Sequence, residues 1–157
     1  MKNMLTNGLL EGYTKGNAEN ITRGNFEGKR SIVVTNAGTY HDEWFVTSYS
    51  GGGQELVNTP SGSYTRLYGG GTPKLEELSK LNITAQDVNS YLKKMILKLK
   101  NTTRLTTDNI PKPDEKWQYS YKVTGKHEFT DVVTATEIIT YGGVEVHVHA
   151  FILCPIL

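Results

Sequence analysis

One amphipathic stripe constrains the fold of this chain more than any other feature of its sequence. Between residues 88 and 99, apolar side chains recur at i, i+3, i+4, i+7, i+8 and i+11, which is the spacing of one helical face. Thr84 is the expected N-cap, and Asp87 lies where the helix dipole favours a carboxylate. The sequence therefore predicts a helix over about 84–100 that needs an apolar surface to cover it. The stripe consists of Val88, Tyr91, Leu92, Met95, Ile96 and Leu99.

The segment before this helix predicts an antiparallel β-meander, because short β-branched or aromatic runs alternate with turn residues. Two glycine triplets, 51–53 and 69–71, are predicted as a chain reversal and as the end of the last strand, since glycine adopts positive φ easily. Pro60 marks a tight turn within 59–62, and residues 16–28 are predicted as loop. The predicted strands span 30–35, 44–49, 54–58 and 64–68, and short helices are predicted at 5–13 and 75–81.

The segment after the helix predicts a second meander. Residues 117–123 alternate between apolar and polar side chains, 128–136 is a further strand, and Gly142-Gly143 is a typical hairpin turn. This turn would place Tyr141 opposite Val144, and Ile139 opposite Val146.

The two meanders also resemble each other. In each, a glutamate and two apolar residues lead through a turn into a return strand, so Glu55 and Glu137 fall in corresponding places. The predicted fold class is α+β. It is an antiparallel β-sheet built from two similar β-meander units, with one main amphipathic helix, at about 84–100, packed on it.

The length and net charge of the chain limit the number of domains and the kinds of partner that it can have. A chain of 157 residues fits a single domain, 1–157, and its formal net charge of +1 argues against nucleic acid and against electrostatic membrane attachment. Cys154 is the single cysteine, so no intramolecular disulfide forms. No apolar run is typical of a secretion signal or a membrane span, which predicts a cytoplasmic location.

Both meanders follow one order: an aromatic strand, a glycine-containing loop, a glutamate with apolar neighbours, and a final strand. In the sequence this order is carried by 47–52, Gln54-Glu55, Tyr68-Gly69, 119–125 and 137–139. It resembles a bacterial domain-of-unknown-function family whose members occur alone or C-terminal to helix-turn-helix domains. The resemblance covers 40–71 and 91–151 and implies a fold class but no activity. The chain departs from the family pattern at 149–155, where a Gly-Gly pair is expected.

A pair of histidines is the sharpest local feature. His147 and His149 are spaced i and i+2 on a strand, so both imidazoles should share one face with Glu145. Two imidazoles on one face can begin a metal site, with Glu137 or His127 as a third ligand. The alternative is an ordinary strand face without metal. A hydrolase using Glu137, His147 and His149, with or without a metal, is one functional hypothesis.

A non-enzymatic module that binds a small ligand or a protein is the leading functional hypothesis. Aromatic β faces can line a pocket with an apolar wall and a polar tip, although sheet packing explains many tyrosines equally well. Glu55 and Glu137 are either paired acids or structural glutamates. The sequence leaves the cofactor undetermined, and it leaves a small molecule, a protein or a second copy of the chain as partner. The candidate ligand-binding residues are Tyr49, Glu55, Tyr68, Trp117, Tyr119 and Glu137.

A third hypothesis is a nucleic-acid or regulatory accessory protein that uses the lysine face of the helix. The near-neutral charge argues against it, since a solvated helix face explains the lysines as well. These lysines are Lys93, Lys94, Lys98 and Lys100.

Overall fold

A computed structural model describes residues 2–47 and 49–156, with the Lys2 side chain left out. Ser48, which belongs to the segment that resembles the bacterial family, lies outside the described residues. The predicted main helix is confirmed as α3, Ala85–Leu99, and it begins with a capping box between Thr84 and Asp87. The other α-helices of the described residues are α1 (Lys2–Leu9), which continues into a π-helical turn at Leu10–Thr14, and α2 (Leu75–Lys80), and a short 3-10 helix follows α3 at Lys100–Thr102.

Eight antiparallel strands form one sheet in the order β1-β2-β3-β4-β5-β8-β7-β6. The fold is therefore α+β, as predicted from the sequence. Two meanders meet at the pair β5·β8, so the order β3-β4-β5 is mirrored by β8-β7-β6. The strands are β1 Glu19–Arg23, β2 Phe26–Thr35, β3 Gly38–Val46, β4 Ser50–Thr59, β5 Gly62–Gly71, β6 Trp117–Lys126, β7 Val133–Tyr141 and β8 Val144–Ile156.

Helices cover one face of both meanders. The buried stripe of α3 joins the main core together with residues of β6, β7 and β8, among them Tyr119, Ile139 and Phe151. Helix α1 packs on the first meander, where Met4 and Leu5 are buried with Tyr40. The sheet alone could not cover its apolar face, so each half of it carries a helix. None of the helices within 2–47 and 49–156 is long and apolar enough to cross a membrane.

The glycine triplet at 51–53 lies inside β4 and is not the predicted chain reversal, whereas the triplet at 69–71 forms the end of β5, as predicted. Gly51 pairs with Gly70, and Gly52 pairs with Gly69, within the β4–β5 ladder. A Cβ atom on Gly70 would approach the Val148 carbonyl oxygen to 1.9 Å, so glycine allows neighbouring strands to come this close. The reversal between β3 and β4 instead follows Val46. Residues 16–28 are likewise not all loop, because β1 and the start of β2 lie there.

A β-bulge changes the predicted register of the last hairpin. Tyr141 pairs with Val144 as predicted, but Ile139 pairs with His147 and not with Val146. The register shift lets Val146 and His147 both turn inward, while Glu145 is exposed. Glu145 is therefore not on the face of the two histidines, and its assignment there was wrong. The alternation of side chains between the two faces of the sheet is broken here, because the bulge inserts one extra residue into β8.

Candidate functional site

The first meander holds a buried ion pair. The Arg66 guanidinium donates through Nε and Nη2 to the two carboxylate oxygens of Glu55, and the Tyr40 hydroxyl donates to Glu55 Oε1 at 2.8 Å. Glu55 is 1% exposed and Arg66 is 0% exposed, so neither charge has water to solvate it. The bidentate geometry is what makes such burial tolerable.

The second meander repeats this arrangement with a different source of cation. Arg104 donates to both oxygens of Glu137 at 2.7 and 2.8 Å, and the Tyr119 hydroxyl donates to Oε2 at 2.8 Å. On the sheet, Arg66 lies opposite Glu55, whereas His149 lies opposite Glu137. A histidine thus occupies the place of the first meander's arginine. The guanidinium comes instead from the segment between α3 and β6.

The two ion pairs are connected. Arg66 Nη1 donates to the Arg104 carbonyl oxygen at 2.6 Å, and Tyr121 donates to the Leu105 carbonyl oxygen at 2.6 Å. The Arg104 backbone has φ of 54°, a conformation that a non-glycine residue adopts only when contacts hold it. Both guanidiniums also lie against the Phe151 ring, at 5.9 Å for Arg66 and 5.2 Å for Arg104. The sheet therefore fixes a segment that has no regular structure of its own.

Asp42 is a third buried carboxyl group, 4% exposed, and it has no cationic partner among the described residues. Its Oδ1 accepts a hydrogen bond from the Tyr68 hydroxyl at 3.0 Å. Burial and then the neighbouring charge of Glu55 raise the pKa of Asp42 to about 8. The carboxyl group is consequently protonated over much of the neutral range.

Because the pKa of Asp42 is raised, the free energy of unfolding depends on pH in a direction that can be predicted. The folded state holds the Asp42 proton between the unfolded pKa of 3.8 and about 8, so stability falls as pH rises through this window. We expect Asp42→Asn to differ little from the wild type near pH 4, and to exceed its free energy of unfolding increasingly as pH rises, by roughly a few kcal/mol near pH 9.

Urea denaturation of both proteins at matched pH values measures the difference, in which the other titrating groups cancel. Glu43→Gln, a change at the neighbouring residue in β3, is the control. The Glu43 side chain is 22% exposed and pairs with Arg23, so this variant should run parallel to the wild-type curve from pH 5 to 9, offset by the small loss of that pair. A wild-type stability that tracks Asp42→Asn from pH 5 to 9 would contradict a buried, protonated Asp42.

A cavity of about 200 Å³ lies between the helices and the sheet. Leu9, Trp44 and Leu92 form part of its apolar wall, and acidic and basic side chains reach it from β3, from β8 and from the segment between α3 and β6. Such a combination of apolar wall and few convergent polar groups is typical of small-molecule sites. The acidic and basic side chains are those of Asp42, Arg104, His147 and His149, and the tyrosines that line it are Tyr13, Tyr49 and Tyr68.

The two histidines converge on Glu137 at the edge of this cavity. Glu137 Oε1 lies 3.5 Å from His147 Nε2 and 3.6 Å from His149 Nδ1. Both nitrogens of His147 and Nδ1 of His149 are buried and make no hydrogen bond to any described residue. Donor atoms of a tetrahedral zinc site stand roughly 3.4 Å apart, given metal–ligand distances of about 2.1 Å. The ligand atoms of the three side chains all lie within 4.8 Å of one another, which is compatible with a divalent metal between them.

Electrostatics weighs against this metal site. Burial alone would raise the pKa of Glu137, but Arg104 and, to a smaller degree, the two imidazoles hold it well below its usual value. Glu137 is thus a carboxylate, as a ligand must be. Its charge is already compensated by Arg104, which donates to the same Oε1 atom. A metal ion would have to share that oxygen with a guanidinium, at a cost in like-charge repulsion.

The structure places the residues named from sequence in three groups. Tyr49 and Tyr68 line the cavity, with His147 and His149. Glu55, Tyr119 and Glu137 belong to the buried ion-pair clusters and not to the cavity wall. Trp117 lies elsewhere, stacked on Tyr91 with ring centroids 4.9 Å apart. His127 is exposed and is not part of the Glu137–histidine group.

Three charged residues of the site were not predicted from the sequence. Asp42 carried a usable signal, because it alternates with the inward-facing Tyr40 and Trp44 along β3. Arg66 lies on an alternating strand, but nothing in sequence shows that it faces Glu55. Arg104 lies in an irregular segment, and no periodicity points to it.

No protein-family model, no curated protein and no solved structure matches the chain. The resemblance to the bacterial family stays a prediction.

Proposed function

We propose that this protein is a non-enzymatic module that binds a small molecule in the cavity between its helices and its sheet. The observation that carries the proposal is the cavity of about 200 Å³, with an apolar and aromatic wall and convergent polar side chains. The ion pairs beside it support the same function. They fix Arg104 before any ligand arrives, and such preorganisation lowers the entropic cost of binding.

Partners other than a small molecule have weaker support. Exposed apolar residues on the sheet, such as Leu67 and Ile152, leave a protein partner or a second copy of the chain as predictions. The lysine face of α3 is partly occupied, because Lys94 pairs with Asp114 and Lys93 lies over the Tyr13 ring. These contacts, like the net charge, argue against the nucleic-acid hypothesis.

Filling the cavity tests the proposal. Asn89 and Ser90 are neighbouring exposed residues of α3, and of the two only Asn89 lines the cavity. With the neutral fluorophore 1-aminoanthracene as probe, we expect saturable fluorescence enhancement in the wild type and in Ser90→Trp. Asn89→Trp should weaken binding at least about tenfold, since the indole occupies the same space. Absence of saturable binding by the wild type, or equal binding by the two variants, would sink the proposal.

A metal-assisted hydrolase is the second candidate. It is favoured by one observation, the three buried imidazole nitrogens without hydrogen bonds beside Glu137, because buried polar atoms are nearly always paired. A divalent cation bound there would act as a Lewis acid at the cavity edge. Arg104, which competes for the same carboxylate, puts this candidate behind simple ligand binding.

Cobalt(II) tests the metal hypothesis directly. Tetrahedral coordination by Glu137, His147 and His149 should give visible d–d absorption and a higher melting temperature in the wild type and in His127→Gln, the exposed control. The signal should be lost in His147→Gln. An unchanged absorption spectrum in the wild type at millimolar cobalt would exclude the metal site.

A further inference from the structure

The buried charges beside the cavity do not balance. Among the described residues, three acidic side chains are buried, those of Asp42, Glu55 and Glu137, but only two guanidiniums, those of Arg66 and Arg104. Each guanidinium is committed to one glutamate by a bidentate pair. Asp42 is therefore the one of these three acids that has no guanidinium partner. An isolated buried carboxylate is costly, so it either stays protonated or receives a cation from outside.

Asp42 is positioned to receive such a cation. It lines the cavity, and its Oδ1 is held by the Tyr68 hydroxyl. Its other neighbours are unsuited to neutralise it, because Glu55 is negative, Tyr40 donates to Glu55, and Arg66 is occupied by Glu55. The cavity wall beside it includes Trp44, whose ring face favours a cation.

We infer that the cavity takes a small organic amine, whose ammonium group pairs with Asp42 and whose apolar body lies against the aromatic wall. This inference rests on the proposed binding function and specifies its ligand class. The basic side chains in the same cavity do not oppose it. The Arg104 charge is compensated by Glu137, and burial, outweighing the neighbouring carboxylate, lowers the pKa of His149 and keeps its imidazole neutral near pH 7.

Proton exchange provides a signature of this pairing. Burial and the charge of Glu55 raise the pKa of Asp42 to about 8, so an arriving ammonium displaces the carboxyl proton. Binding at pH 7 should therefore release about one proton per ligand. The groups that face Asp42 and set this value are Glu55, Arg66, Tyr40 and Tyr68, and none of them needs to titrate near pH 7 for the release.

Three probes of nearly equal size separate the effect of ligand charge on binding from the effect of ligand shape. They are phenethylammonium, neutral 2-phenylethanol and anionic 3-phenylpropionate. We expect calorimetry at pH 7 to show phenethylammonium binding at least about tenfold tighter than the other two. Titrations in two buffers of different ionisation enthalpy should report the released proton. Asp42→Asn should weaken phenethylammonium binding at least about tenfold and abolish the proton release, whereas Glu43→Gln should change neither.

The outcomes separate this inference from the proposed function. Equal or preferred binding of 2-phenylethanol or 3-phenylpropionate would overturn the amine assignment and leave the binding function standing. The amine assignment would also fail if phenethylammonium bound Asp42→Asn as tightly as the wild type. Failure of all three probes, together with 1-aminoanthracene, would overturn both. Because Asn replaces a protonated Asp at equal size, the variant should stay folded, and urea denaturation of the same sample checks this.

Discussion

Arg66→Met should lower the free energy of unfolding by roughly 3–5 kcal/mol, the usual cost of breaking a buried ion pair on one side. The substitution leaves the Glu55 carboxylate 1% exposed without a cation and removes the donor to the Arg104 carbonyl oxygen. Urea denaturation followed by circular dichroism measures the loss. The effect is large relative to the stability of about 5–15 kcal/mol typical of such domains.

Two further variants identify the cause. Arg30→Met removes an ion pair with Glu19 at the exposed edge of the sheet, and it should cost about 1 kcal/mol or less. The double variant Glu55→Gln/Arg66→Met also removes the unpaired Glu55 carboxylate. It should recover part of the lost free energy of unfolding, because burying a neutral amide costs less than burying a carboxylate. An Arg66→Met protein as stable as Arg30→Met would show that the buried pair does not stabilise the fold.

Leu92→Asp should prevent folding or leave an aggregating protein. Leu92 is 1% exposed in the centre of the α3 stripe, where it contacts the main core and the cavity. An aspartate there would lose about 1.5–3 kcal/mol of apolar burial and would also bury a charge without a partner. The expected result is loss of the cooperative melting transition and of the near-ultraviolet circular dichroism signal.

Leu97→Asp is the matched control on the same helix. Leu97 is 51% exposed, so its carboxylate stays in water and the melting temperature should change little. Leu92→Ala should fold but lose roughly 2–5 kcal/mol, because it leaves a void in place of the side chain. A soluble Leu92→Asp protein that melts cooperatively near the wild-type temperature would contradict the packing of α3 on the sheet.

The elements that sequence predicted well are those with a strong local signal. The stripe from Val88 to Leu99, with Thr84 before it, specifies α3 because helical periodicity and a cap agree over fifteen residues. The glycine turn at 142–143 specifies a hairpin for the same reason. The triplet at 51–53 was wrongly predicted as a reversal, because the local tendency of glycine to turn was overridden by the close pairing of β4 with β3 and β5.

In the candidate site, too, some residues were predicted from the sequence and others were not. Correspondence between the meanders pointed to Glu55 and Glu137, and the i, i+2 spacing pointed to the two histidines. The chemistry around them depends on partners far away in sequence. Arg104 reaches Glu137 across 33 residues, and Tyr68 reaches Asp42 across 26 residues. No local pattern encodes such pairings, because they follow from strand order and from the path of an irregular segment.

The sequence by itself determined the α+β class, the main helix and the β-meanders, because periodicity and turn chemistry act between residues close in the chain. Only the tertiary structure decided which acids are neutralised. The mirrored strand order brings two arginines to three buried carboxyl groups and leaves Asp42 facing a cavity. That imbalance arises from long-range packing, where burial makes each missing partner costly, and it underlies the proposed choice of ligand.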